Sequence, residues 1–312
     1  MFRQFDAGQD HGDRIKDLSI SIVAFNSLKY LRDCIDSIYR FPPDPAYDLI
    51  VVDNASTDGT SKNVADDYPG VVLVSNKENA GFAAANNQAI KATDSKYILL
   101  INSDCEVYKD SIDKLIEYMD KNPLVAAAGP KIINSDGSIQ YSCRSFPSFF
   151  SAAIHSVMVH IYPNNPVSRK YMMTGISRDK PMSVDWVSGS CMMIRRKAIE
   201  EVGLLDERYF MYVEDLDICY RMWKKGWEVH YMPDSEVLHH IGGSSRRRSI
   251  PGDQGRKSKR AQIRASYRMQ RSVFYFFWKN YKGSIKILLI PLLFMILGLR
   301  FLIAAIKSMV KR

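Results

Sequence analysis

An α/β fold on a mostly parallel sheet is what this chain predicts, and three features predict it. Short, uniformly apolar runs rich in β-branched residues recur at 18–25, 49–52, 71–75 and 97–101. Segments with helical spacing lie between them, at 27–39, 60–68 and 81–92. Strands that are apolar on both sides need cover on both sides, and alternating helices supply it. Third, polar clusters directly follow two of the runs, Asp53-Asn54 and Asn102-Ser103-Asp104. Those are strand ends, beyond which such sheets collect their chemistry.

Each element has its own reason. Residues 18–25 form an apolar strand, and in 27–39 Leu31, Cys34, Ile35 and Ile38 recur on one helical face. A turn-rich FPPDPAYD leads into the strand 49–52, which ends in Asp53. Helix 60–68, strand 71–75, helix 81–92 and the buried-type strand 97–101 follow. Residues 142–180 are aromatic-rich and less regular, a loop or helical excursion. Beyond them, 184–195 is strand-like, 196–202 begins a short helix, and 216–225 is a helix closed by Gly226. Residues 228–232 and 236–240 read as two further short strands. No internal repeat occurs at solenoid periods.

Composition bounds the function. The formal net charge of +9 is unevenly spread: residues 1–245 hold 26 basic and 33 acidic side chains, residues 246–312 hold 17 basic and one acidic. With 46% hydrophobic and 25% charged residues, wholesale disorder is excluded. A single apolar stretch is long enough to matter to a bilayer, which excludes a polytopic membrane protein. The five cysteines lack CxxC or finger spacing, against a disulfide framework or structural zinc. The N-terminal residues are polar, without the apolar core of a signal peptide, so a reducing, cytosolic setting is expected.

Four constellations carry chemistry. In IVVDNASTDGT, Asp53 at a strand end can accept the imide N–H of a uracil or thymine ring, although for the motif taken alone a β-turn with an Asx cap on the next helix is the better explanation. In NAGFAAANNQAI, Asn79 and Gly81 open a helix whose free N–H groups suit phosphate, or simply form a turn. In ILLINSDCEV, Asn102 and Asp104 fall on the same side of the chain, two oxygen ligands for a hard cation bridging a diphosphate. A strand-ending turn favours the same residues. In VDWVSGSCMMIRR, YFMYVEDLDICYRMWKKGW and VLHHIGGSS, Glu214, Asp215 and Asp217 crowd a helix start, where helix capping explains one or two acids but not all three.

In this order the motifs resemble the inverting family-2 glycosyltransferases of the GT-A fold, most closely their bacterial rhamnosyltransferase-like branch. The resemblance covers about residues 18–245 and rests on VDN-x-S-x-D-G, N-x-G-x₄-N, N-x-D, W-x-S-G, E-D-x-D and H-x-x-G-x-S. It implies a Rossmann-like sheet flanked by helices and a sugar donor carried on dTDP or UDP. Asp53 matches the carboxylate that reads the pyrimidine, with Phe25 near the base; Asn79 and Gly81 complete the donor loop. Asp104 matches the metal-binding acid of the DXD motif for Mg²⁺ or Mn²⁺. Asn102 holds its first position, leaving open whether it touches metal or ribose. Asp215 matches the general base, with Glu214 as its competitor. His239 fits its motif better than His240 and joins the metal, while Trp186, Ser188 and Gly189 match the acceptor side. An acidic body would repel an anionic donor, so a cation is electrostatically required.

The basic tail points to a membrane. Ten basic residues in 246–271 suit nucleic acid or anionic lipid alike. The aromatic cluster Phe274, Tyr275, Phe276, Phe277, Trp278 and Tyr281, then an apolar 287–299, favours lipid and excludes nucleic acid as the partner. Residues 287–306 are long enough to span, yet Lys282, Lys286, Arg300, Lys307 and Lys311 share one face and flank both ends. Helices lying in the interface are therefore favoured over a crossing. A buried core helix, or a homo-oligomer interface through these helices, is the alternative.

The expected organisation is a leader 1–17, a catalytic domain 18–245, and basic, membrane-associating helices over 246–312. Its expected place is the cytoplasmic face of the inner or plasma membrane, peripheral or monotopic. Its expected partners are a nucleotide sugar and a lipid-linked glycan acceptor in cell-surface polysaccharide synthesis. The rival is a non-catalytic nucleotide-binding or scaffold protein on the same fold.

Overall fold

A computed structural model describes residues 16–158, 162, 165–240 and 259–310. The leader through residue 15 and residues 241–258, with the Gly242 and Ser244 of the histidine motif, lie outside the described residues.

The first half runs β1 (Leu18–Ala24), α1 (Leu28–Arg40), β2 (Tyr47–Asp53), α2 (Thr60–Asp67), β3 (Val72–Ser75), α3 (Phe82–Lys91), β4 (Tyr97–Asn102), β5 (Cys105–Val107), α4 (Ser111–Lys121) and β6 (Val125–Asn134). Then come β7 (Ile139–Gln140), β8 (Cys143–Arg144), α5 (Phe149–Met158), α6 (Pro166–Met172), β9 (Met182–Ser183), β10 (Trp186–Val187) and β11 (Cys191–Arg195). The remainder is α7 (Arg196–Val202), α8 (Glu214–Lys224), β12 (Glu228–His239), α9 (Lys259–Tyr281), a 3₁₀ turn (Ile285–Leu289) and α10 (Ile290–Val310).

The main sheet is ordered β3-β2-β1-β4-β11-β6-β12-β5. Its first four strands are parallel: β1, β2 and β4 are largely buried, as a parallel sheet covered on both faces requires, while β3 forms the exposed edge. Register aligns the strand ends: Ala24 pairs with Asp53 and Val23 with Asn102, so Phe25, Asp53 and Asn102 emerge at one edge. β11 then enters antiparallel between β4 and β6.

Two sequence expectations change and a third is sharpened. Residues 228–232 and 236–240 are one strand, β12, with a register irregularity between Met232 and Glu236. The strand-like 184–195 divides into β10 and β11, because β10 leaves the main sheet to pair with β8. Gly129 permits this crossing, since a Cβ there would stand 2.8 Å from Val187 Cβ. The irregular 142–180 holds two short helices, and no sequence periodicity marks them.

The C-terminal helices join the core. Of the aromatic cluster expected at a lipid interface, Phe276 and Phe277 are buried instead, in the cluster that includes Trp186, Tyr209 and Leu216. Phe277 meets Phe149 edge-on at 6.0 Å, and Phe276 meets Tyr220 at 5.4 Å. Each such burial stabilises by about 1.5–3 kcal/mol. Phe274 stacks on Trp278, which stays exposed. Farther on, Ile285, Leu288, Leu292, Phe294, Met295, Leu299 and Leu302 are exposed apolar residues. Among the described residues, no helix is long and apolar enough to cross a membrane.

Candidate active site

At the sheet edge Asp53 is buried and already engaged: its carboxylate accepts the Ser56 N–H at 3.0 Å and the Ser61 hydroxyl. Phe25, one residue past β1 at the same sheet edge, is 43% exposed. The next loop is organised by amides. Asn54 Nδ2 donates to Asn79 Oδ1 (3.1 Å) and to the Gly81 carbonyl (3.2 Å), while Asn79 Oδ1 also accepts the Gly81 N–H (3.0 Å). Asn79 thus shapes the loop that starts α3. Gly81 has φ +92°, and a Cβ on it would meet the Phe210 carbonyl oxygen at 2.5 Å. Only glycine allows the following Phe82 N–H to reach that carbonyl at 2.7 Å. Asn86 and Asn87 are structural, binding the Phe82 and Leu205 carbonyls.

Strand pairing assembles what the linear sequence separates by 135 positions. β5 pairs antiparallel with β12, setting His239 opposite Cys105, and His239 Nε2 lies 3.3 Å from Asp104 Oδ1. Both side chains are almost fully buried, Asp104 at 1% exposure. The ring's other nitrogen, Nδ1, is 2.9 Å from Gln140 Oε1. In the tautomer that donates Nδ1–H to Gln140, the Nε2 lone pair faces a carboxylate oxygen, two electron-rich atoms that a divalent cation satisfies. His240 points elsewhere: its nitrogens meet Glu106 (2.7 Å) and Ser135 (2.8 Å). Asn102 borders the pair and donates its backbone N–H to the Ser190 carbonyl at 2.9 Å. Among the described residues, no group of three or more His, Cys, Asp or Glu is placed to hold a metal; Asp104 and His239 are the pair brought together here.

The acidic helix start separates into three roles. Glu214 is buried at 5% exposure, and its Oε2 has no hydrogen-bond partner among the described residues. Burial, and then the charge of Asp215, pushes its carboxyl well above the usual range. Asp215 is half-buried; its Oδ2 accepts the Gly189 N–H (3.0 Å) and Oδ1 the Leu216 N–H (2.8 Å). Burial raises its pKa too, opposed by those two N–H groups and the Arg144 guanidinium. The pair therefore favours a proton on Glu214 and the charge on Asp215. Asp217 is fully buried and structural, accepting from Arg221 Nε (2.9 Å), Tyr209 hydroxyl (3.2 Å) and Lys279 Nζ of α9 (2.8 Å). Lys279 also binds Asp206 at 2.8 Å. The helix is entered through Tyr212 (φ 73°) and Val213 (φ 75°), left-handed conformations that cost about 1–3 kcal/mol each. Strain of this kind persists where surrounding packing fixes a functional turn.

Gly189 sits against Asp215. A Cβ there would be 3.4 Å from Asp215 Cβ and from Phe82, so glycine keeps its N–H within reach of the carboxylate. The Ser188 hydroxyl accepts from Ser190 Oγ at 3.0 Å. Trp186 is not an open sugar platform. It is 5% exposed, its indole N–H donates to the Ser145 carbonyl (3.1 Å), and Arg144 covers its ring at 4.9 Å. Sequence reasoning missed Arg144, Gln140 and Lys279. The first two lie where no periodicity signals structure, and the third was counted among the tail's charges.

Glu214 yields a stability prediction. Its folded pKa exceeds the unfolded value near about 4.3, so the native state keeps a proton that the unfolded chain releases. Stability from this group is intact below the unfolded pKa and falls as pH rises toward the raised folded one. Glu214→Gln is expected to raise the melting temperature at pH 8 and leave it unchanged at pH 4. Melts at the two pH values read this directly.

Comparison with known proteins places this geometry. A family model described as Glycosyl transferase family 2 matches residues 19–203. The chain is 36% identical over 211 residues to the N-acetylglucosaminyl-diphospho-decaprenol L-rhamnosyltransferase of Mycobacterium tuberculosis, covering 64% of this chain and 68% of that protein. It is 28% identical over 236 residues to Rhamnosyltransferase WbbL of Escherichia coli, covering 73% of this chain and 84% of that one. Among solved structures, GalNAc-T7 with UDP, GalNAc and Mn²⁺ superposes with a TM-score of 0.59 at 17% identity, over 88% of this chain and 50% of that one.

Proposed function

Because the chain belongs to glycosyl transferase family 2, we propose that it transfers a rhamnose-type sugar, with inversion, from a nucleoside diphosphate to a hydroxyl of a polyprenyl-diphosphate-linked acceptor in cell-surface glycan synthesis. The observation that carries this reading is a half-buried Asp215, fixed by the Gly189 N–H, one residue from the Ser190 that binds Asn102 beside the Asp104–His239 pair. The named acceptor and sugar of the Mycobacterium tuberculosis relative support the substrate class.

The residues divide the work. Asp53 accepts the pyrimidine N–H while Phe25 stacks on the ring. Asp104 and His239 would hold Mg²⁺ or Mn²⁺, whose chemistry is to offset the diphosphate's charge; Mn²⁺ accompanies UDP in the GalNAc-T7 structure. Asp215 takes the proton of the attacking hydroxyl, and its raised proton affinity makes it the stronger base. Glu214, holding its proton, spares the cleft a second negative charge. Attack from Asp215's side displaces the nucleoside diphosphate in one step and inverts the anomeric centre. The exposed apolar residues of the 3₁₀ turn and α10, such as Leu288, Phe294 and Met295, suit a lipid surface and support a peripheral position on the cytoplasmic face, where such an acceptor would be anchored.

A screen of nucleotide sugars with a lipid-linked acceptor, scoring nucleoside diphosphate release, tests the reading. Release is expected with Mg²⁺ or Mn²⁺, to stop with chelator, and to fall at least about 100-fold in Asp104→Ala and His239→Ala. Chelator-insensitive turnover would remove the cation from the scheme.

A further inference from the structure

Past the base, on the side away from the Asp104–His239 pair, stands an arginine that the reaction as described does not use. Three contacts order the strand there. The Ser190 carbonyl binds the Asn102 N–H, the Gly189 N–H binds Asp215, and Trp186 pairs in register with Arg144 of β8. Moving along the chain from Ser190 to Trp186 therefore passes from the cation pair, past the base, to Arg144.

Arg144 is held but not satisfied. Its guanidinium lies over the buried Trp186 indole at 4.9 Å, which fixes its plane. Among the described residues its Nε is buried without a hydrogen-bond partner. It is close enough to bias Asp215 electrostatically. A buried guanidinium N–H without an acceptor is costly, and the partner its fork fits best is a phosphate oxygen pair. A nearby aromatic plate that holds the fork rigid lowers the cost of engaging such a ligand.

We propose that Arg144, seated on Trp186, is the subsite for the diphosphate of the acceptor. The proposal rests on the acceptor class given above. It adds that the enzyme recognises its lipid substrate by the anionic linkage as well as by the sugar. The donor's diphosphate belongs at the opposite end, beside Asp104 and His239, so the two diphosphates flank the base from either side. An arginine there also separates the acceptor's charge from Asp215, which must stay ionised to accept a proton.

The test is binding to the full chain in detergent, read by calorimetry. The probes are a short-chain alkyl diphosphate bearing one N-acetylhexosamine, the matching alkyl glycoside without diphosphate, and a free nucleoside diphosphate with Mn²⁺. The unaltered chain should bind the diphosphate probe about 10–100-fold more tightly than the glycoside, the range of a charge-assisted bidentate contact. Arg144→Met should bring that ratio to about one and leave nucleoside diphosphate affinity unchanged. Arg144→Lys, which keeps the charge but loses the fork, should retain part of the preference and serves if the Met variant does not fold. A ratio preserved in both variants would overturn the proposal, as would loss of nucleoside diphosphate affinity, which would assign Arg144 to the donor. Failure of the transferase reading would show separately, as absence of nucleoside diphosphate release from every donor.

Discussion

Asp215→Asn is expected to lower kcat by about 10²–10⁴, the contribution of a positioned general base, while nucleoside diphosphate affinity stays unchanged. The reason is local. The Gly189 and Leu216 N–H groups fix separate oxygens of Asp215, at 3.0 and 2.8 Å, so an amide keeps one of the two bonds through its single oxygen, and a melting-temperature check that the helix start holds accompanies the rate measurement. The amide, however, cannot take the acceptor's proton. Glu214→Gln is the matching control. Burial already keeps Glu214 protonated, so its amide isostere should transfer sugar at a rate within a few-fold of the unaltered enzyme. The reverse pattern, with Glu214→Gln inactive and Asp215→Asn active, would move the base by one residue.

Lys279→Met carries the largest expected effect on stability, about 3 kcal/mol, the low end for stranding a buried charge. Asp217 is wholly inaccessible, and Lys279 reaches both its oxygens at 2.8 Å from a helix 62 residues later. Arg221 and Tyr209 remain as partners, which keeps the loss at that low end. Asp206, held well below the usual carboxylate range by Arg208 and Lys279, loses one of its two cations in the same variant. Lys279→Arg should recover most of the loss. Urea unfolding reads the difference as a shift in midpoint. The same contacts bear on truncation. A chain cut near residue 270 would lose the exposed apolar residues of the 3₁₀ turn and α10. It would also remove Phe276, Phe277 and Lys279 from the core. Such a chain is expected to unfold rather than detach intact, so membrane attachment is better tested by changing exposed residues such as Leu288 or Met295.

How much of this was legible in the sequence depends on range. Three of the four parallel strands, β1, β2 and β4, were legible because burial on both faces favours a mostly apolar run, the edge strand β3 by its β-branched residues, and the helices because one face repeats. Asp53, Asn102 and Asp104 were legible because polar residues ending such runs stand out. β12 was divided because Pro233, Asp234 and Ser235 read as a turn, whereas the chain absorbs them in an irregularity of the strand. The pairing of β5 with β12, which brings His239 to Asp104, leaves no local trace; only the motif order suggested it. Trp186 was expected to meet a sugar because aromatic rings do, but its neighbour across the strand pair, Arg144, covers it. The tail was read by charge and hydropathy, which cannot distinguish an aromatic ring facing lipid from one facing its own core. Phe276 and Phe277 face the core.

In the proposed reaction Asp215 takes the proton of an acceptor hydroxyl as it attacks a sugar whose diphosphate departs near Asp104 and His239. Its most direct test is the anomeric configuration of the product formed from a β-linked dTDP-rhamnose donor and a diphosphate-linked N-acetylhexosamine lipid, read by the one-bond C–H coupling at the anomeric carbon. An α-linked product, formed by the unaltered enzyme and absent with Asp215→Asn, is the expected result. A β-linked product, or equal product from Asp215→Asn, would contradict it.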